Sequence, residues 1–132
     1  MKVCLDSSAY IAMEHGNAAV AEILSMCEEV IVPAATFAEL TEGNYCRDNA
    51  EAANLALNHF LDKENVKFVP AGHAIAFRYA EISRSLRRRG VPIPVNDIWI
   101  AASALVLNVP LCTFDQHFRN VPLLEVVEID NA

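Results

Sequence analysis

Lysine is scarce in this chain of 132 residues, at Lys2, Lys63 and Lys67 alone, and with arginine it gives ten basic residues against seventeen acidic ones. The net charge of −7 excludes a protein that coats nucleic acid by bulk charge. It leaves open one that meets nucleic acid through a bound cation or a local basic patch. No cysteine pair has C-x-x-C or Cys/His metal spacing, so Cys4, Cys27, Cys46 and Cys112 read as small core residues in a reducing compartment. No uncharged apolar run approaches the roughly 20 residues of a membrane span. The longest, Ile98 to Leu107, suits a buried helix. The N-terminus reaches Asp6 too early for the apolar core of a signal peptide. A cytoplasmic protein without a membrane partner is therefore expected. Internal repeats, low-complexity segments and linkers are also missing. With 54% hydrophobic residues, the length fits one domain over residues 1–132 with one core.

Short β-branched runs alternate with longer helical patterns, which indicates β-α units around a parallel sheet. Val3 to Leu5 reads as a first strand closed by Asp6-Ser7-Ser8, then helix over Ala9 to Glu14, a break at His15-Gly16-Asn17, and helix over Ala18 to Glu28. Val30 to Val32 is a second strand. Pro33 suits the helix start that follows, because its ring fixes φ and its missing N–H is not needed there. Helix then runs over Ala34 to Thr41, and the segment TEGNYCRDN reads as a loop or helix break. Ala53, Leu57, Phe60 and Leu61 carry the core spacing of a helix over Ala50 to Asp62, and Val66 to Val69 is a third strand. From Ala74 to Arg88, Ile75, Tyr79, Ile82 and Leu86 recur at helical spacing until Gly90, Pro92 and Pro94 stop the pattern. The helix opened by Asn96-Asp97 is apolar on nearly every face and so belongs in the middle of the protein. Asn108 caps it, Leu111 to Thr113 is a fourth strand, Asp115 to Asn120 a short helical turn and Glu125 to Ile129 a fifth strand.

In an open parallel sheet, ligands bind beyond the C-terminal ends of the strands. Asp6 ends strand one and Asp115 follows strand four. Glu39 lies in the helix after strand two, and Asp97 opens the buried helix before strand four. The four converge on one rim if strands one and four are neighbours. Singly, each has a plainer explanation: the three aspartates precede helical patterns and can act as N-caps, and Glu39 can be a solvated helix position. Together, four unpaired carboxylates a few ångströms apart would repel one another and hold protons too tightly, unless a cation neutralises them. Oxygen donors alone select a hard ion, Mg²⁺ or Mn²⁺. Such a site does phosphoryl chemistry, polarising the phosphate and lowering the pKa of a bound water. Water is the natural nucleophile, because that rim offers no Cys or Lys.

The segments VCLDSSAYIA, VPAATFAELTEG, RRRGVPIPVNDIWIAASALVLNVPLCTFDQHF and VPLLEVVEI, in this order, resemble the PIN-domain nucleases, especially the VapC-like toxins of toxin-antitoxin pairs. The resemblance spans essentially the whole chain. It implies a three-layer α/β/α fold whose five-stranded parallel sheet has the order 3-2-1-4-5, with helices on both faces. That order makes strands one and four neighbours. It also implies a Mg²⁺- or Mn²⁺-dependent endoribonuclease with RNA as substrate, a cognate antitoxin as partner and a homodimer as the assembly. The family's acidic quartet falls on Asp6, Glu39, Asp97 and Asp115. Asp6 and Asp97 match the most regular metal ligands, Glu39 and Asp115 complete the site directly or through water, and Ser8 and Thr113 match outer hydroxyl groups. Where the family often has Asp-Thr-Asn, this chain has Asp6-Ser7-Ser8, which keeps hydrogen-bonding side chains beside the metal.

Arg78, Arg84, Arg87, Arg88 and Arg89 place five of the ten basic residues in one helical segment. They can hold an RNA backbone, or form a solvated helix end whose cations suit the helix dipole. Of the four histidines only His117, beside Asp115, is a candidate worth testing, and it reads first as a surface residue. Glu42, three residues after Glu39, reads as an exposed acid or an outer metal or water contact, and Trp99 as core. Tyr10, Ile11 and Phe37 read either as core or as the lining of a groove for an antitoxin helix. Two other functions stand beside the nuclease. A receiver-type signalling domain has this length and a five-stranded sheet, but Asp6 has no acidic neighbour, strand three ends in Val69-Pro70, and no lysine follows strand five. A non-catalytic PIN-like binding or scaffold module has no reason to leave like charges clustered.

Overall fold

The computed structural model describes residues 1–129, so the last three positions of the domain expected over 1–132 lie outside the described residues. Four strands, β1 (Lys2–Leu5), β2 (Glu29–Pro33), β3 (Val66–Val69) and β4 (Leu111–Cys112), form one parallel sheet of order β3-β2-β1-β4. Helices α1 (Ser7–Glu14) and α2 (Ala18–Ser25) connect β1 to β2. Next come α3 (Ala34–Tyr45) and α4 (Ala50–Leu61) before β3, and α5 (His73–Arg89) and α6 (Val95–Leu107) before β4. A 3₁₀ turn over Gln116–Asn120 follows β4.

Strand periodicity decides which residues meet which helices, because successive side chains point to opposite faces. Val3, Leu5, Val30 and Val32 pack with Tyr10, Val20, Leu24, Leu57 and Phe60 of α1, α2 and α4. Cys4 and Ile31, one position out of phase, pack with Ile75, Ile82, Leu86, Ile98 and Phe118 on the other face. Val3, Cys4 and Leu5 are all fully buried, as a strand covered on both faces requires. Thus helices cover both faces, as the resemblance implies.

The expected fifth strand over Glu125–Ile129 shrinks to one parallel bridge, Val126 opposite Leu111. Leu111 N–H donates to the Glu125 carbonyl and Val127 N–H to the Leu111 carbonyl, each at 2.8 Å. With β4 only two residues long, its outer edge has room for no more. The chain there still lies where strand five is expected, beyond β4.

Other departures are local. Helix α2 stops at Ser25, three residues short of Glu28, while α3 runs on to Tyr45, into the first half of the expected loop, which persists from Cys46 to Asn49. Tertiary contact overrides the weak helix preference of Gly43 and Asn44 there. Asn44 is buried and its side chain donates to Asn54 Oδ1 at 3.0 Å, joining α3 to α4. Three cysteines are buried, but Cys46 is exposed at the C-cap of α3 and is no core residue. Asn108 adopts the left-handed conformation (φ 56°) that closes α6, as expected, and Gly90 (φ 68°) does the same for α5. Trp99 is only partly buried, stacked on Tyr79 with ring centroids 4.3 Å apart.

Phe118 anchors the 3₁₀ turn to the α5/α6 face of the core and is fully buried. Phe118→Ala is expected to lower stability by about 3–5 kcal/mol, read from the urea unfolding midpoint. A loss below about 1 kcal/mol would show that the turn is held by something else.

Candidate metal centre

The rim at the C-terminal ends of β1 and β4 is set by strand register. Leu5 pairs with Cys112, so the next residues out, Asp6 and Thr113, lie side by side. Thr113 Oγ1 donates to Asp6 Oδ2 at 2.5 Å. Asp6 Oδ1 accepts from the Ala9 backbone N–H at 3.0 Å, the N-cap bond of α1, and from Ser8 Oγ at 2.8 Å. The N-cap reading of Asp6 therefore holds, alongside a position in the cluster. Ser8 and Thr113 reach further: Ser8 Oγ accepts from Phe114 N–H at 3.1 Å and Thr113 Oγ1 from Asp115 N–H at 3.0 Å. The two hydroxyls thus lock the loop that carries Asp115 to the end of β1.

Helix α3 brings Glu39. Its first turn is pinned by buried Thr36, whose hydroxyl donates to the Leu5 carbonyl at 2.9 Å. Glu39, three residues on, falls on the same side of the helix and faces the rim. Its Oε1 is buried without a hydrogen-bond partner. Asp97 arrives in the first turn of α6, after Pro94 at the cap position. It is only 8% exposed and does not cap the helix. Its negative charge suits the helix N-terminus. Asp115 precedes the 3₁₀ turn but its side chain makes no capping bond, and it is exposed.

All four predicted acids therefore meet at one rim, and a fifth group joins them. His117 Nε2 lies 2.6 Å from Asp97 Oδ2. Donor atoms of Asp97, Asp115 and His117 all lie within 4.8 Å of one another. His117 is thus no isolated surface residue: its side chain is 33% exposed and it sits against the acidic cluster. The available signal was its place two residues after Asp115, on a turn whose next residue, Phe118, is core. Glu42 is exposed and takes no part.

The charges strain one another. Burial pushes the Asp6 carboxyl above the ordinary carboxylate range, with Asp115 adding to it, while bonds from Thr113, Ala9 N–H and Ser8 oppose the rise. Glu39 is raised by burial and then by the charges of Asp97, Asp6 and Asp115, partly offset by the Ser7 hydroxyl. Asp97 is raised by burial and lowered in part by His117. The unpartnered Glu39 oxygen, the mutual repulsion and the oxygen-rich donor set all fit a divalent cation. His117 Nε2 is already engaged by Asp97 Oδ2, so His117 acts on the cluster by orienting that carboxylate.

A PIN-domain family profile matches residues 3–124. The chain belongs to the PIN-domain family. Ribonuclease VapC1 of Haemophilus influenzae is 30% identical over 99 residues, covering 74% of this chain and 72% of its own length. The solved structure of VapBC-1 from nontypeable Haemophilus influenzae superposes with a TM-score of 0.86 at 28% identity, covering 97% of this chain and 98% of its own. VapBC-5 from Mycobacterium tuberculosis, a member of the VapBC family of toxin-antitoxin systems, gives 0.73 at 25% identity, covering 97% and 96%. This PIN domain shares their sheet and helix layers. No helix among its described residues is long and apolar enough to cross a membrane.

The raised carboxyls set a pH dependence. The folded state holds these protons more tightly than the unfolded chain, so their contribution to stability is fullest below about pH 4 and is lost as pH rises through the folded values. In EDTA, Glu39→Gln is expected to raise the thermal midpoint at neutral pH and to flatten its decline with pH. Calorimetry reads both, and a steeper decline in the variant would contradict the repulsion.

Proposed function

We propose that this PIN domain is a divalent-metal-dependent endoribonuclease, the toxin of a toxin-antitoxin pair. The observation that carries the reading is the convergence of Asp6, Glu39, Asp97 and Asp115 on one rim, with a buried Glu39 oxygen that has no partner within the protein. Ribonuclease relatives and VapBC neighbours support it.

Asp6, Asp97, Glu39 and Asp115, with His117 beside Asp97, would hold the ion. Bound there, a Mg²⁺ or Mn²⁺ ion supplies Lewis-acid polarisation of a phosphate and lowers the pKa of water at the site. The protein's own part is placement. Ser8 and Thr113 fix the Asp6 carboxylate from behind, which leaves its remaining acceptor capacity directed at the rim. His117 holds Asp97 in one orientation through Oδ2. An RNA phosphodiester would be the substrate, and the rim itself offers no Cys or Lys nucleophile.

A groove of about 430 Å³ between α1 and α3 opens at Glu39, lined by Tyr10, Ile11 and Leu40 with Glu14 and Arg47 at its edge. An antitoxin helix laid there would cover the acidic rim, which is how a partner could silence the site. Phe37 is not part of this groove: it packs edge-on against Phe68, ring centroids 5.7 Å apart. The assembly is proposed as a homodimer, read by light scattering, and its setting as the cytoplasm.

Asp6→Asn and Asp97→Asn are each expected to reduce RNA cleavage by more than about 100-fold, since even outer partners of metal ligands matter on that scale. EDTA should abolish cleavage by the unaltered protein and Mn²⁺ restore it. Equal cleavage by all three proteins, or cleavage indifferent to EDTA, would sink the proposal.

A further inference from the structure

The arginine-rich end of α5 is tied to the rim. Arg89 donates through its guanidinium to the carbonyl of Asn120, the last residue of the turn that carries His117. Gly90 to Pro94 then lead directly into α6, whose first turn holds Asp97. Arg84 and Arg88, one helical turn apart, share a side of α5 and line with Ser85, Arg89 and Glu81 a cleft of about 340 Å³.

These cations lack acidic partners. Among the described residues, no ion pair involves Arg84, Arg87, Arg88 or Arg89, although acids outnumber bases in the chain. Glu81, the one acid at the cleft, faces Arg78 at 3.5 Å. Attraction of cations to a helix C-terminus reaches only the last turn, so it accounts for Arg87 to Arg89 and not for Arg84. Arg84 lies a turn earlier yet opens on the same cleft. Guanidinium groups match phosphate oxygens in geometry and charge, and backbone phosphates are what position a nucleic acid on a protein.

We propose that Arg84, Arg88 and Arg89 form a phosphate-binding cleft that holds the RNA backbone beside the acidic rim. The inference rests on the nuclease reading and adds where the strand runs: off the rim along the C-terminal half of α5, past the 3₁₀ turn. The ligand is the sugar-phosphate chain, so the contact is indifferent to base sequence.

The test is fluorescence anisotropy of a labelled, mixed-sequence single-stranded RNA in EDTA across a salt series, with cleavage in Mn²⁺ followed separately on a gel. Arg84→Gln/Arg88→Gln is expected to weaken binding about tenfold and to lower the salt slope by about 1.4, at 0.7 per phosphate contact. Arg84→Lys/Arg88→Lys should restore most of the slope. Lys2→Gln/Lys67→Gln removes the same charge elsewhere and should leave the slope nearly unchanged. All three variants should keep the parent thermal midpoint, because the altered side chains are exposed. An equal loss in the two glutamine variants, or an unchanged slope in the arginine one while the parent binds RNA, overturns the cleft alone. A parent that binds RNA through this cleft but never cuts it overturns the nuclease reading alone, and a parent that does neither overturns both.

Discussion

The hydrogen bond from Thr113 to Asp6 joins β1 and β4 at the point where their backbones diverge, and the site depends on it. Parallel register places Leu5 opposite Cys112, so the first residues beyond each strand are forced together. One is an acid and the other a hydroxyl that can both donate to it and accept from Asp115 N–H. A second acid in place of Thr113 would set two buried charges against each other. An apolar residue there would leave the Asp6 oxygen without its donor, at a cost of about 1–3 kcal/mol. The same carboxylate caps α1, so a single side chain ends a strand, starts a helix and faces the ligand side of the rim.

Around that bond the protein holds charges that do not stabilise it. Asp6, Glu39 and Asp97 are all pushed toward the protonated form by burial, and Asp115 adds to the repulsion. The surroundings offset this only in part: donors on Asp6, the N-terminus of α6 at Asp97, and His117 at Asp97 Oδ2. A rigid frame is needed to keep like charges close. It comes from a sheet buried on both faces, from Thr36 fastening α3 to the end of β1, and from Phe118 sunk beneath the turn that carries Asp115 and His117. A site under tension in the bare protein becomes an attractive one for a cation of two charges, which is the electrostatic logic of a metal centre.

Charge is also divided in space. The rim concentrates acids, whereas the end of α5 concentrates arginines without acidic partners, and Asn120 brings the two regions together. A net charge of −7 averages over that division and so describes neither region. Local arrangement, not the sum, decides how a polyanion meets this surface.

Much of this was legible in the sequence. Alternation of β-branched runs with helical patterns gave the parallel sheet, and the places of Asp6, Glu39, Asp97 and Asp115 after strands or in helices marked them as candidates, because those properties are local and periodic. That they share one rim depended on strands one and four being neighbours, an order only the resemblance implied. Non-local contacts decided the rest. The fifth strand became one bridge because β4 offers it a single residue to pair with, and α3 ran four residues into its expected loop because Asn44 finds Asn54 on a neighbouring helix. His117 entered the site because Phe118 must be buried, which turns the preceding side chain toward Asp97. Residue type and spacing along this chain determined which chemistry was available to it. Which groups touch, and which are left without partners, was decided only when strand register and core packing brought distant segments together.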